Sequence, residues 1–368
     1  MTESEVTPDL GWLLRRILSP AHPAAELNSD AIEIDSDVAS RLWASCSRNR
    51  LEPLLEDAVV RGTLTFDPEV TDALHRRVAA HMATMVRLEA AALQVCCLLG
   101  EAGIDVRVLK GMATAHLDYP NPALRHFADV DLLVQPEEFD DALVVLEESD
   151  IRQKYSMRGG YWQVQHSMPI SVGEFEIDLH HRLLHQAAGH LMARADLFAD
   201  TESFVIAGTE LRALPAPLRL IQAAGQNVLS VGQDKKSSSD ADILLLLHVV
   251  DEAYELANSV DLGWLLDAGL SRAASVAEVP PPPSRSEDGP MGRIMRRAYE
   301  SGQPSVIRST LLEAITAPPS TTARVLWSAV APGEDYLRVR GRTRSDQLRH
   351  QVSRASSGLR SLARREAT

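Results

Sequence analysis

Residues 108–134, VLKGMATAHLDYPNPALRHFADVDLLV, open like the end of a buried strand, break at Gly111 and close with Asp129 and Asp131 one residue apart in an apolar run. Side chains at i and i+2 of a strand share a face, about 6 to 7 Å apart along the chain. Asp129 and Asp131 therefore converge on one small volume, where burying charge is costly. Two carboxylates that close repel unless a cation lies between them, and hard oxygen ligands in a concave site suit Mg²⁺ holding a nucleotide's phosphates. The competing reading is a strand end that is capped or solvated, and only neighbouring residues can separate the two.

Three neighbours favour the cation. Lys110 and Gly111 stand at the end of the preceding strand, where lysine supplies a point charge and glycine lets a phosphate approach backbone N–H groups. Arg125, four residues before Asp129, offers the bidentate fork that suits phosphate. Downstream, EFEIDLHH (174–181) puts Glu174, Glu176, Asp178 and His180 on one strand face, and Asp178 supplies a third carboxylate.

Working outward, residues 67–103 read as one long amphipathic helix, with Asp67 as N-cap, Pro68 at the first helical position and Gly103 past its end. Residues 37–60 and 10–18 read as two more helices. From 104 the texture changes to short β-branched alternation: IDVRVLK and ADVDLLV are strands, PEEFDDALVVLEESD is a helix, and IRQKYS, YWQVQHS and ISVGEFEIDLHH are three further strands. Helices return near 216 with APLRLIQAAGQNVLS and DADILLLLHVVDEAYELA, and VPPPPSRSEDGP (279–290) is a Pro-rich linker. The pattern predicts a mixed α/β or α+β core.

The chain has 368 residues and a formal charge of −14, which argues against a duplex-binding protein held by a general basic surface. Its last 33 residues reverse the sign, with nine arginines from Arg338 to Arg365 against Asp346 and Glu366, and read as a solvated tail. Cys46, Cys96 and Cys97 are too few and too badly spaced for a disulfide framework, and read as reduced core residues. The N-terminus carries acids where a signal peptide carries positive charge, and no run approaches the roughly 20 apolar residues of a spanning helix. The expectation is a cytoplasmic protein without a membrane partner.

Weaker signals surround the acids. His180, His181 and His185 lack the cysteine partners or the H-E-x-x-H spacing of a zinc site. His180 shares the face of Asp178 and is placed to orient it, or is an ordinary satisfied histidine. Lys235 and Lys236 precede a helix and reach across the cleft to nucleotide phosphates, or belong to a solvated loop. Asp242 reads as a structural acid near a helix start. His166 and Trp162 line an acceptor pocket or simply pack. There is no G-x-S-x-G elbow, Walker A signature or G-x-G-x-x-G fingerprint.

Together, LKG, then Y-P-x-P-x-x-R-x-x-x-D-V-D-L-L-V, then IDLHHRL resemble the DNA polymerase β-like nucleotidyltransferase superfamily. More narrowly they resemble a poorly characterised bacterial nucleotidyltransferase family whose genes often lie near polysaccharide or natural-product clusters. The R-x-x-x-D-x-D spacing also resembles nucleotidyltransferase toxins. The resemblance is strongest over 104–182 and extends to about 40–255. It implies an α+β fold, a small mixed β-sheet nucleotidyltransferase core flanked by N- and C-terminal helical regions. The corresponding division is 1–103 helical, 104–215 nucleotidyltransferase-like core, 216–275 helical and completing the cleft, 276–292 Pro-rich linker, and 293–368 helical with the Arg-rich tail.

The resemblance implies that Asp129 and Asp131 bind Mg²⁺, with Mn²⁺ as a substitute, and that Asp178 completes the site or takes the acceptor proton. Lys110, Gly111, Arg125, Lys235 and Lys236 then face the NTP, with His180 in support. The superfamily commonly has a serine after the turn glycine, and this chain has Met112. The activity implied is Mg²⁺-dependent transfer of a nucleoside monophosphate to a hydroxyl or phosphate of a small-molecule, sugar or peptide acceptor, in natural-product or polysaccharide biosynthesis. RNA is disfavoured by the acidic charge. The alternatives left open are a catalytically weak binding or scaffold protein, and a toxin-like enzyme acting on tRNA.

Overall fold

A computed structural model describes residues 9–17, 32–154, 165–229, 237–300, 304 and 306–330. The chain begins with α1 (Leu10–Ile17), β1 (Ile32–Glu33), α2 (Ser36–Asn49), α3 (Glu52–Val60), β2 (Leu64–Thr65) and α4 (Pro68–Glu101). The single helix expected over 37–60 is two. Arg50 closes α2 in the left-handed region at φ 58°, and Pro53 falls in the first turn of α3, where its missing N–H costs nothing. α4 matches its expected span, from Pro68 to a stop at Gly103 with φ +80°. Cys46 is buried as expected, whereas Cys97 faces solvent on α4.

The middle of the chain builds the sheet: β3 (Val106–Leu109), α5 (Lys110–Leu117), β4 (Val130–Val134), α6 (Phe139–Glu148), β5 (Arg152–Gln153), β6 (Ser167–Val172), β7 (Phe175–His180), α7 (Gln186–Met192), β8 (Glu202–Ile206) and β9 (Thr209–Ala213). The segment read as one strand over 170–181 is a hairpin, turned at Gly173 with φ 59° and pairing Val172 with Phe175. The hairpin β8–β9 was not foreseen. It turns through Ala207 and Gly208, both at positive φ, the backbone that matches the twist of its strands.

Seven strands lie in the order β5-β6-β7-β4-β3-β9-β8. β4 runs parallel to β7 and β3 parallel to β9, and the remaining pairs are antiparallel, so the sheet is mixed and the class is α+β.

Strand alternation divides the interior in two. Val108, Val130, Leu132, Val134, Ile177 and Leu179 pack with Met85, Leu88, Val95 and Leu99 of α4 and with α6. Leu109 and Leu133, from the other face, join the larger helical core. That core is built by α1–α3, α7 and the C-terminal helices α8 (Ala216–Leu229), α9 (Ser237–Leu245), α10 (Val250–Ser259), α11 (Gly263–Ala277), α12 (Pro290–Glu300) and α13 (Val306–Thr316), with α14 (Pro319–Val330) packed beyond. By parity Asp131, Asp178 and His180 point to this second face. Among the described residues α4 is the one helix long and apolar enough to cross a membrane by length and composition, and here its apolar stripe lies on the sheet.

The Pro-rich segment 280–289 forms no helix or strand but is tied down. Asn258 donates to the Arg285 carbonyl and accepts from the Glu287 N–H, while Arg296 pairs with Asp288.

One buried ion pair fastens the helical half to the sheet. Arg125, just before β4, donates from Nε and Nη2 to the two carboxylate oxygens of Asp242 on α9, each at 2.7 Å. Tyr119 Oη donates to the same carboxylate at 3.1 Å. Removing one partner of a buried pair strands the other charge. Asp242→Leu should therefore cost about 3–5 kcal/mol of unfolding free energy. The double change Arg125→Leu/Asp242→Leu should cost less, a difference measurable by urea unfolding.

Candidate functional site

The site begins where β3 gives way to α5. Lys110 sits in the left-handed region at φ 49°, turning the chain sharply so that its side chain reaches across to β4. Its backbone N–H donates to Gln222 Oε1 on α8 at 3.2 Å, and its ammonium is bonded to Asp131 Oδ1. In register, Leu109 lies opposite Asp131, and Asp131 lies opposite Asp178 across the parallel pair β4–β7. Two strands from distant parts of the chain thus bring two carboxylates side by side on one face. His180, next on that face, places Nε2 at 2.7 Å from Asp131 Oδ1. One ligating atom from each of Asp131, Asp178 and His180 lies within 4.8 Å of the others.

The electrostatics separate the two acids. Burial alone would push the Asp131 carboxyl up, but the Lys110 ammonium and the His180 hydrogen bond outweigh it and hold the group well below the usual carboxylate range. Among the described residues Asp178 has no hydrogen bond or ion pair of this kind and feels the Lys110 and His180 charges only as weaker influences. Burial and the adjacent Asp131 charge push its carboxyl above the ordinary value. One ammonium between two acids leaves the pair short of positive charge, and the spare oxygens are hard donors, so this donor set fits a divalent cation of the Mg²⁺ type. His180 is already engaged with Asp131 and orients that carboxylate, rather than Asp178 as expected. Behind it His166 lies 5.1 Å from His180 and 5.5 Å from His185, ring centre to ring centre. Burial, then its histidine neighbours, drives His166 well below its usual pKa, so it is neutral. His185 bonds the Leu229 carbonyl and His181 the Gln165 carbonyl, so neither joins the acids.

Other expected groups are placed differently. Asp129 lies just before β4, largely exposed, with Arg50 Nη1 at 3.2 Å from its carboxylate. Its carboxylate is held by Arg50 and is not among the ligand atoms grouped at Asp131. Arg125 is not free for phosphate: its fork is spent on Asp242, which is the structural acid it was read to be. Gly111 makes room for protein rather than for phosphate, since a Cβ there would lie 2.7 Å from Phe127 Cβ. Met112 is fully buried in the core. Glu174 and Glu176 pair with Arg87 and Lys154 on the surface. Lys235, Lys236, Trp162 and the Arg-rich tail lie outside the described residues.

Two groups escaped the sequence reading. Gln222 fixes the Lys110 turn, and its own Nε2 is buried without a partner. Arg50 holds Asp129 from a helix end. Gln222 shares its part of α8 with Arg219 and Gln226, so no local sign set it apart, and nothing local marked Arg50.

A protein-family model described as an uncharacterised nucleotidyltransferase matches residues 35–228. No curated protein sequence matches the chain. Among solved structures, the solution structure of the antibiotic-resistance factor ANT(2'')-Ia is 16% identical at a TM-score of 0.34, over 53% of this chain and 96% of that one. The crystal structure of ANT(2'')-Ia in complex with adenylyl-2''-tobramycin gives 17% and 0.33, over 51% and 98%. An antigenic nucleotidyltransferase-like protein from Paracoccidioides brasiliensis gives 14% and 0.31, over 50% and 92%. Likenesses so distant carry no weight for substrate or residue roles. The family match spans more than half of the 368 residues and contains β3, β4, β7 and both opposed carboxylates, and on it the chain belongs to this nucleotidyltransferase family.

Proposed function

We propose that the chain moves a nucleoside monophosphate from an NTP to a hydroxyl or phosphate of an acceptor, with Mg²⁺ held chiefly at Asp131 and with Asp178 beside it taking the acceptor proton. The observation that carries this reading is the registered pair Asp131 and Asp178 beside Lys110. The new bond forms between the acceptor oxygen and the α-phosphorus, the bond from that phosphorus to the bridging oxygen breaks, and pyrophosphate leaves. Bound Mg²⁺ supplies neutralisation of the triphosphate and the leaving group.

The residues then divide the work. Asp131, ionised throughout the neutral range, is the permanent anion. Lys110, displaced from Asp131 when a divalent ion binds there, is free to swing its ammonium to the phosphates, as a point charge on a flexible stem can. The first N–H groups of α5 lack helical acceptors and face the same end of the sheet, which suits phosphate oxygens. Asp178, whose raised pKa makes it the better proton acceptor of the two, takes the proton from the acceptor hydroxyl. Asp129 completes the set when Arg50 releases it. The acceptor is a small molecule, sugar or peptide of a biosynthetic pathway, and the −14 charge disfavours a tRNA end.

A second reading, a nucleotide-binding protein with little catalysis, is favoured by the burial of Met112 and the locking of Arg125, which remove two phosphate contacts. Calorimetry with Mg²⁺ and each NTP separates the enzyme from a scaffold that has lost the nucleotide, since the enzyme requires metal-dependent binding and the scaffold binds no NTP, while the labelling below separates it from a protein that binds without turnover. Labelled NTP with Mg²⁺ and cell extract should label an acceptor, and Asp131→Asn should abolish the labelling. Labelling that survives Asp131→Asn would sink the assignment.

Asp178→Asn is expected to leave NTP binding within a fewfold while lowering turnover by about 10² to 10⁴, the range for loss of a positioned base. Equal loss of both would make Asp178 a primary metal ligand instead.

The raised pKa of Asp178 also sets a pH-dependent stability. Its folded value lies above that of the unfolded chain, so ionising it opposes folding. The penalty is absent below about pH 4 and complete once the pH has passed the folded value. Without metal, Asp178→Asn should therefore melt above wild type at pH 8, with the gap closing toward pH 4. Mg²⁺ with ATP should raise the wild-type melting temperature more than that of the variant.

A further inference from the structure

A second cluster of ligating side chains lies outside the nucleotide site. Glu52 opens α3, His81 lies on α4, and His126 stands in the loop between Arg125 and Phe127 that leads into β4. One ligand atom from each falls within 4.8 Å of the others.

Glu52 is 1% exposed, and a carboxylate so buried needs compensation that the described residues only partly supply. Trp43 Nε1 donates to Oε1 at 2.9 Å. Arg77 approaches that same oxygen only to 3.6 Å, from a side chain more than half exposed. His81 Nδ1 stands 3.4 Å from Oε2 without forming a hydrogen bond. The His81 and His126 rings stack at 4.0 Å between centres and 10° between planes, so one ring must turn before the in-plane lone pairs of both can converge on one ion. Nδ1 of each ring is shielded from solvent and has no hydrogen-bond partner among the described residues. Two unsatisfied imidazole nitrogens and a carboxylate oxygen therefore share one water-poor pocket, a costly arrangement for purely structural groups.

We infer that Glu52, His81 and His126 bind a transition-metal dication of the Zn²⁺ class. Two imidazoles and a carboxylate suit that class, whereas the oxygen-only pair Asp131 and Asp178 suits Mg²⁺. A tetrahedral ion with bonds of about 2.0–2.1 Å holds its ligand atoms roughly 3.3–3.4 Å apart. His81 Nδ1 and Glu52 Oε2 already have that spacing. Trp43 fixes the other Glu52 oxygen, the outer-shell role that aims a ligating carboxylate. The nearby guanidiniums do not forbid the charge: Arg50 is paired with Asp129, Arg125 with Asp242, and Arg77 can turn to water. A water takes the fourth position. The ion ties α3 and α4 to the loop that carries Asp129, which Arg50 also reaches from the end of α2. This site stands whether or not the nucleotide reading does.

Full-length protein stripped with chelator and titrated with Co²⁺ should take up one equivalent with visible tetrahedral absorption bands, displaced by Zn²⁺. His81→Gln and His126→Gln should each weaken this uptake by more than about 100-fold, beyond the usual outer-shell loss. Asp131→Asn/Asp178→Asn should leave it unchanged. Absence of the bands in wild type, their survival in the histidine variants, or their loss with the acid variants would each overturn the site. Histidine footprinting of wild type needs no variant to fold: Zn²⁺ should protect His81 and His126 from diethyl pyrocarbonate, and equal modification with and without Zn²⁺ would reject the inference.

Discussion

The Asp131 carboxylate, almost wholly removed from water at the centre of a seven-stranded sheet, must be matched by charge and hydrogen bonds, and its surroundings follow from that demand. Lys110 meets it only because the chain takes a left-handed step at the end of β3, and that step is held by Gln222 reaching from α8. His180 meets it from β7, and β7 can do so only in the parallel register that also places Asp178 alongside. A single buried charge therefore links the β3 turn, the order of the central strands and the docking of the C-terminal helices.

The Arg125–Asp242 pair applies the same physics to a different end. Both side chains are buried and matched oxygen to nitrogen, so their charges are satisfied internally and have nothing to offer a ligand. Asp131 and Asp178 instead share one ammonium between two anions. That contrast divides buried charge that fastens the fold from buried charge kept available for binding, and it does so without reference to sequence spacing.

What the sequence disclosed follows the range of the interactions involved. α4, β3, β4 and α6 were legible because periodicity and caps are local signals, and the shared face of Asp131 and Asp178 was legible because strand parity dictates it, whereas Lys110 reaches that face only through its left-handed step. The split of α2 from α3 was also written locally, in Pro53, and was passed over. The hairpin β6–β7 was missed because its strong alternation was read straight through the turn at Gly173, and β8–β9 because its two short strands carry few apolar residues around the turn at Gly208. Arg125 was misread for a different reason. An arginine near an acid pair looks the same whether its fork faces a phosphate or Asp242, more than a hundred residues on, and only the packing of α9 decides. Asp129, one residue before the strand, is held by Arg50, a partner that no local signal announced.

The parallel pairing of β4 with β7 also bears on how the protein is made. An antiparallel neighbour can form through a short turn, but a parallel one must wait for the chain to travel out and return, a slow closure. Here the return passes through α6, β5 and β6 before β7 takes its place beside β4. Until then Asp131 has no acid beside it and can pair with Lys110 from the adjoining strand at little cost. The pairing of Asp131 with Lys110 needs only the neighbourhood of β3 and β4, whereas the Asp131–Asp178 repulsion enters with the longer β4–β7 closure, and β3–β9 spans more chain still.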